Sequence, residues 1–303
     1  MILQDISAHG THHCETSTVG VLLRSAGIDL SEPMLFGLGS GLGFVVWGGF
    51  VGGRVKPLNL TRNLAARLGL ELSVKETGSP RKAWQNVLAE LATGRPVGLQ
   101  LDCYHLEYFT SKIHFGGHVV AIYGYDEQLA YLVDTEQQGG AVATSLESLA
   151  AARAQRGPMT ARNLSFTLDG GTPDVAAAVG PAVRANAADF LAAPISNLGY
   201  RGIAKMATLV GELSPQVGEL MERGGTGGAL FRNLYRDFLA ECLTLVHDPA
   251  LSAAHDMYAE IALRWTDVAE AISTGSPEQA AQVLRDLAVR ERVAMETLTN
   301  VRV

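Results

Sequence analysis

Strand-like runs stop at residue 168 of this 303-residue chain, and that stop limits the architectures open to it. Before it, "LELSVKE" (70–76), "PVGLQLDCY" (96–104), "HVVAIYGYD" (118–126), "LAYLVDT" (129–135) and "LSFTL" (164–168) read as strands, rich in Val, Ile, Leu and Tyr. Helical periodicity alternates with them at about 16–26, 31–36, 58–68 and 80–91. The stretch "GLGSGLGFVVWGGFVGGR" (37–54) reads as a glycine-rich loop leading into a strand. Beyond "DGGTPD" (169–174), alanine-rich helical patterns take over; Leu230, Leu234 and Phe238 mark one apolar helix face, with Phe231 and Cys242 beside it. "SPEQ" at 276–279 has the form of a capping box, and "RGGTGGA" at 223–229 reads as a breaker between helices. The expected fold class is α+β: an antiparallel-sheet domain over residues 1–170, followed by an all-helical domain over 171–303.

Composition narrows the function classes. With 47% hydrophobic and 18% charged residues the chain can bury a sizeable core, and a formal charge of −7 argues against general nucleic-acid binding. No apolar run reaches the roughly 18 residues of a membrane span, and "MILQDISAHG" lacks a basic flank before an apolar stretch. A soluble cytoplasmic protein is therefore expected, with self-association through the apolar helical tail. Three cysteines, Cys14, Cys103 and Cys242, are too sparse and odd a set for a disulfide framework.

Cys14 stands where an apolar helix begins, in "HHCETSTVGVLLRSAGIDL" (12–30). A thiol there lies near the positive end of the helix dipole, which favours thiolate. It is open to three readings: nucleophile, metal ligand among histidines, or small core residue. A nucleophile needs a base, and the base an orienting acceptor. His118 opens one strand-like run and Asp134 closes the next; if the two runs pair as a hairpin, these residues become neighbours. An isolated cysteine beside a helix is more often core than catalytic, so the conjunction carries more than its parts. "HGTHHCE" packs His9, His12, His13, Cys14 and Glu15 together, but such close ligands on one short segment cannot easily converge on one ion, and no second ligand pair is obvious, so no metal is expected. "GLGSGLG" fails the dinucleotide pattern because Leu42 and Phe44 stand at the third-glycine positions.

The block "HCETSTVGVLLRSAGIDLSEPMLFGLGSGLGF" resembles the N-terminal motif of the butirosin biosynthesis protein H family, and "GGHVVAIYGYDEQLAYLVDT" is similar to the second half of that pattern. The helical tail, notably "GGALFRNLYRDFLAEC" and "IALRWTDVAEAI", is similar to the domain often fused behind it. The resemblance implies a papain-like fold, distantly similar to bacteriocin-processing double-glycine peptidases. It also implies an acyl transfer from a carrier-protein thioester to an amine. Carried over by position, Cys14 would be nucleophile, His118 base and Asp134 orienter. One departure stands out: the peptidases carry a glutamine six residues before the cysteine, and Ala8 occupies that place here. The oxyanion donor is left to backbone N–H groups, such as that of Cys14, or to the side chains of His12 or His13.

The expected function is then a cysteine acyltransferase of specialised (antibiotic) biosynthesis, working through an acyl-Cys14 intermediate. It needs no bound cofactor. The donor is a phosphopantetheine thioester on an acyl carrier protein or a CoA-like carrier, and the acceptor is a small-molecule amine. Weaker substrate-binding candidates are His13, Ser40, Phe44, Tyr104 and Phe109. Arg54, Lys56, Arg62 and Arg67 form a local basic stretch that would suit an acidic carrier, although a solvated helix face explains it as well. The alternatives are a peptidase, amidase or thioesterase with water as acceptor, or a non-catalytic binding protein on the same fold.

Overall fold

A computed structural model describes residues 1–224 and 228–303, with the backbone alone at residue 54. The fold is α+β, with antiparallel sheets in the N-terminal half followed by a helical C-terminal region. In chain order the elements are α1 (Cys14–Ser25), α2 (Glu32–Leu38), β1 (Leu42–Trp47), β2 (Phe50–Arg54), α3 (Asn59–Leu68), β3 (Glu71–Lys75), α4 (Pro80–Leu91), β4 (Val97–Leu101), β5 (His118–Tyr125), β6 (Leu129–Val133), β7 (Ala141–Ser145), α5 (Leu146–Ala154) and β8 (Ser165–Asp169). Then come α6 (Val175–Leu191), α7 (Gly199–Leu209), α8 (Gln216–Arg223), α9 (Ala229–Leu245), α10 (Pro249–Ser273) and α11 (Pro277–Leu298). Among the described residues, no helix is long and apolar enough to cross a membrane. Residues 225–227 of the breaker expected at 223–229 lie outside the described residues.

Two compact units make up the chain: Met1–Leu35 with Lys56–Pro173, and Phe36–Val55 with Asp174–Val303. In the first, six strands form one sheet in the order β3-β8-β4-β5-β6-β7, every neighbouring pair antiparallel. β5 and β6 make the hairpin that the sequence suggests, through Asp126, whose carboxylate accepts the N–H groups of Gln128 and Leu129. Val87 and Leu91 of α4, Leu149 and Ala152 of α5, and Val120, Ile122 and Leu132 of the sheet share one core. α1 contacts β5 and β4 and is buried from Cys14 through Leu23, a helix covered on all sides. Gly20 is what lets His9 lie on it: a Cβ at Gly20 would sit 1.6 Å from the His9 ring. The helix starts two residues before the expected Thr16, because His13, not a hydroxyl residue, is its N-cap.

The second unit combines the helices with the stretch read from sequence as a loop leading into one strand. That stretch is instead a two-stranded hairpin, β1–β2, in which Trp47 pairs with Phe50 across Gly48 and Gly49. Both glycines have positive φ (52° and 84°), the geometry that two-residue hairpins demand. The Asn186 side chain of α6 donates to Leu42 O at 2.7 Å, and Asn197 exchanges bonds with Val46 in both directions. Phe36 stacks on Phe231, and Phe44 lies 5.6 Å from Trp265. At the centre Arg232 pairs with Glu291 at 2.8 and 3.0 Å, and Trp265 Nε1 donates to the same carboxylate at 2.6 Å, with both charged side chains fully buried. The Ser276 capping box does not form: Pro277 opens α11, but Ser276 (ψ 66°) makes no side-chain cap bond.

A chain cut after Pro173 would leave Phe36, Leu38, Leu42, Phe44 and Val46, all buried in the second unit, without the helices that cover them. Such a fragment is expected to aggregate or to elute as a large species in size-exclusion chromatography. A soluble, monomeric 1–173 fragment would show that the hairpin stretch does not depend on those helices.

Candidate active site

At the head of α1, the extended His13 (φ −109°) turns its ring back so that Nδ1 accepts from Thr16 N–H at 3.2 Å. That bond places the His13 proton on Nε2. Cys14 follows as the first helical residue, 9% exposed. His118 sits at the first position of β5 and Asp134 directly after β6. Their side chains meet: His118 Nε2 lies 2.7 Å from Asp134 Oδ2. The His118 ring also shares a side-chain hydrogen bond with Cys14. With Nε2 directed at the carboxylate, Nδ1 is the nitrogen left to face the thiol.

The electrostatics follow from this line of groups. Burial works against the charged form of His118. The Asp134 carboxylate and then the Cys14 charge, with hydrogen bonds to both, outweigh burial and hold the imidazole well above its ordinary value. Asp134 is itself closely held. Oδ2 also accepts from Tyr108 Oη at 2.8 Å, Oδ1 accepts from Thr135 N–H at 2.7 Å, and its carbonyl accepts from Ser17 Oγ of α1 at 3.3 Å. Burial, reinforced by Asp134, pushes the Tyr108 hydroxyl well up, so it stays a donor. Phe109 presents itself edge-on to the His118 ring, centroids 5.1 Å apart. Burial raises the thiols of Cys103 and Cys242. The groups are thus arranged for a thiolate–imidazolium pair with a carboxylate behind the imidazole.

The remaining sequence candidates are engaged as follows. His13 is 2% exposed and caps α1. Ser40 (φ 51°) donates to Ala182 O at 3.2 Å and is buried in the helical unit, as is Phe44, packed on Trp265 and Arg232. Tyr104 is half-exposed and stacks on His114, 4.1 Å between centroids; His114 in turn pairs with Asp102 at 3.3 Å. The clustered ligand types around Cys14 do not converge. His9 Nε2 bonds Leu30 O at 2.6 Å, and Glu15 accepts from Thr61 N and Oγ1 at 3.0 and 2.7 Å. Among the described residues no group of three or more His, Cys, Asp or Glu could hold a metal ion. Lys56 and Arg62 are exposed, and the side chain of Arg54 lies outside the described residues.

Tyr108 and Glu32 are the two site residues that sequence reasoning did not place. The bond from Tyr108 to Asp134 spans 26 residues, a contact that local pattern does not carry. Glu32 carried one signal, a carboxylate at a helix start within the motif block, but its bonds run back to residues 11–13, a contact that no local pattern encodes.

Two comparisons bear on the chain. Residues 13–135 match the family described as butirosin biosynthesis protein H, N-terminal, and residues 147–298 match a domain of unknown function (DUF4872). No curated protein matches the sequence.

Iodoacetamide should label Cys14 ahead of Cys103 and Cys242, measured by peptide mass spectrometry against pH. The raised His118 value means that the ion pair persists as pH rises until His118 loses its proton. Asp134→Asn removes the strongest cause of that raise. The imidazolium is then less available to support the thiolate, and the pH of half-maximal Cys14 labelling is expected to rise by about one unit. An unmoved midpoint would uncouple Asp134 from the thiol.

Proposed function

Since the chain belongs to the butirosin biosynthesis protein H-like family, we propose that it is a cysteine-dependent acyltransferase that moves an acyl group from a thioester to an amine in specialised metabolism. The observation that carries this reading is the Asp134–His118–Cys14 line at the buried head of α1. In this reading the Cys14 thiolate attacks the thioester carbonyl. The tetrahedral intermediate collapses, the C–S bond to the donor breaks, and the departing thiolate takes the proton of His118. The acyl group is now on Cys14 and His118 is neutral. The acceptor amine attacks the acyl carbon, His118 removes its proton, and the second collapse returns the thiolate and releases an amide.

Asp134 keeps the imidazole in the tautomer that presents Nδ1 to sulfur and offsets its charge when protonated. Tyr108 in turn orients the carboxylate. Phe109, edge-on to His118, is proposed to shield one side of the ring and to border the acyl group. The donor is proposed to be a phosphopantetheine thioester, on an acyl carrier protein or CoA-like. A buried thiol and base favour an amine over bulk water as acceptor.

Incubating the full-length protein with an acyl thioester, with and without a primary amine, tests this. Amide product together with a transient acyl adduct on Cys14 by mass spectrometry is the expected result. Cys14→Ala is expected to lose turnover by about a thousandfold or more while remaining folded. Release of free acid at a rate indifferent to amine would make the protein a hydrolase. Wild-type turnover by Cys14→Ala would sink the nucleophile assignment.

A further inference from the structure

Glu32 opens α2 and is 9% exposed, yet the hydrogen bonds of its carboxylate run to the segment that delivers Cys14. Thr11 N–H donates to Oε2 at 2.9 Å, His12 N–H to Oε1 and Oε2 at 3.1 and 3.4 Å, and His13 N–H to Oε1 at 2.7 Å. Thr16 Oγ1 adds a bond to Oε1 at 3.3 Å. Three consecutive backbone N–H groups converging on one point form an anion-holding concavity, and here the protein's own carboxylate fills it. Bonds of this kind, neutral donor to ionised acceptor, are the stronger class. Gly10 allows the approach, because a Cβ there would lie 3.1 Å from Glu32 Cδ and Oε1.

The other side of the same segment is tied to the loop that follows Asp134. Glu136 N–H donates to Gly10 O at 3.0 Å, Thr11 Oγ1 donates to Glu136 Oε2 at 2.9 Å, and Gln137 Nε2 lies 3.3 Å from His12 Nδ1. Residues 10–13 are therefore strapped between Glu32 and the Asp134 loop. The next residue is Cys14, and His118 is already fixed to Asp134.

We propose that Glu32 is a positioning residue for Cys14, holding the backbone of residues 11–13 so that the thiol meets His118; this rests on the reading of Cys14 as nucleophile. Glu32 touches no reacting atom. It acts through three peptide groups, and its negative charge is taken up by those donors.

The test compares full-length wild type, Glu32→Gln and Glu32→Asp, each checked for folding by circular dichroism. Three quantities are read: amide hydrogen exchange at residues 11–13, the pH midpoint of Cys14 labelling by iodoacetamide, and kcat and KM with an acyl thioester. Glu32→Gln keeps the length but replaces one acceptor oxygen with a donor. It is expected to lose exchange protection at 11–13, to move the labelling midpoint to higher pH, and to lower kcat about a hundredfold with little change in KM. Glu32→Asp, which keeps the charge, is expected to recover part of each, and it carries the test should the Gln variant not fold. Lost protection with an unmoved midpoint and kcat would make Glu32 purely structural and overturn the proposal. A midpoint moving to lower pH would overturn it too, since Glu32 would then act as a through-space charge opposing the thiolate. Failure of the nucleophile reading is told apart by Cys14→Ala, which involves no Glu32 variant.

Discussion

A charged imidazole inside a protein is tenable only against a counter-charge, and the His118–Asp134 contact supplies it. Desolvating an ion costs several kcal/mol, and the penalty is offset only where geometry is close and the remaining lone pairs are bonded. At 2.7 Å, with Tyr108 and Thr135 occupying further positions on the carboxylate, Asp134 meets both conditions. The first unit is arranged around that requirement. The β5–β6 hairpin brings the two residues together, α1 is buried against the sheet so that its head reaches the ring, and Ser17 ties the helix to the Asp134 backbone.

The helical unit solves the same problem without a reactive group. Arg232 and Glu291 are fully buried, and their two-point pairing, the Trp265 indole donor and the Arg232 contact with the Trp265 face leave little of either charge uncompensated. Breaking such a pair is costly, because removing one partner leaves a lone buried charge. Segment 36–55 belongs to this unit through Asn186, Asn197 and the Phe44–Trp265 contact, although it lies far from those helices in the chain.

Much of this was legible in the chain itself. The strands at 71–75, 97–101, 118–125, 129–133 and 165–169 match the runs rich in branched and aromatic residues, and the helix bounds at α3 and α4 agree to within a residue. Strands and helices declare themselves through side-chain period, which is local. The β1–β2 hairpin was partly hidden by its glycines, although two apolar runs separated by Gly48-Gly49 are the signal that a two-residue turn leaves. β7 and α5 are short and rich in alanine, with no clear one-sided apolar pattern, and so carried too weak a signal. The placing of Cys14 at a helix head and of His118 beside Asp134 was legible because a helix start and a hairpin's open end are themselves local features. Tyr108 was visible as an aromatic but not as the donor to Asp134, since its loop conformation depends on what it packs against.

By itself, then, the sequence determined most of the strands of the first half and the helical character of the second, the hairpin that pairs His118 with Asp134, and the place of Cys14 at the head of α1. These follow from period, turn residues and helix polarity, all encoded within a dozen or so residues. Only the tertiary structure decided that Glu32 grips residues 11–13, that Glu15 is spent on Thr61, that Ser40 and Phe44 are buried with the helices, and that His13 caps α1. Each is a polar or aromatic group whose partner is set by packing between elements. A carboxylate's spacing along the chain does not say which of many donors will be brought within 3 Å of it.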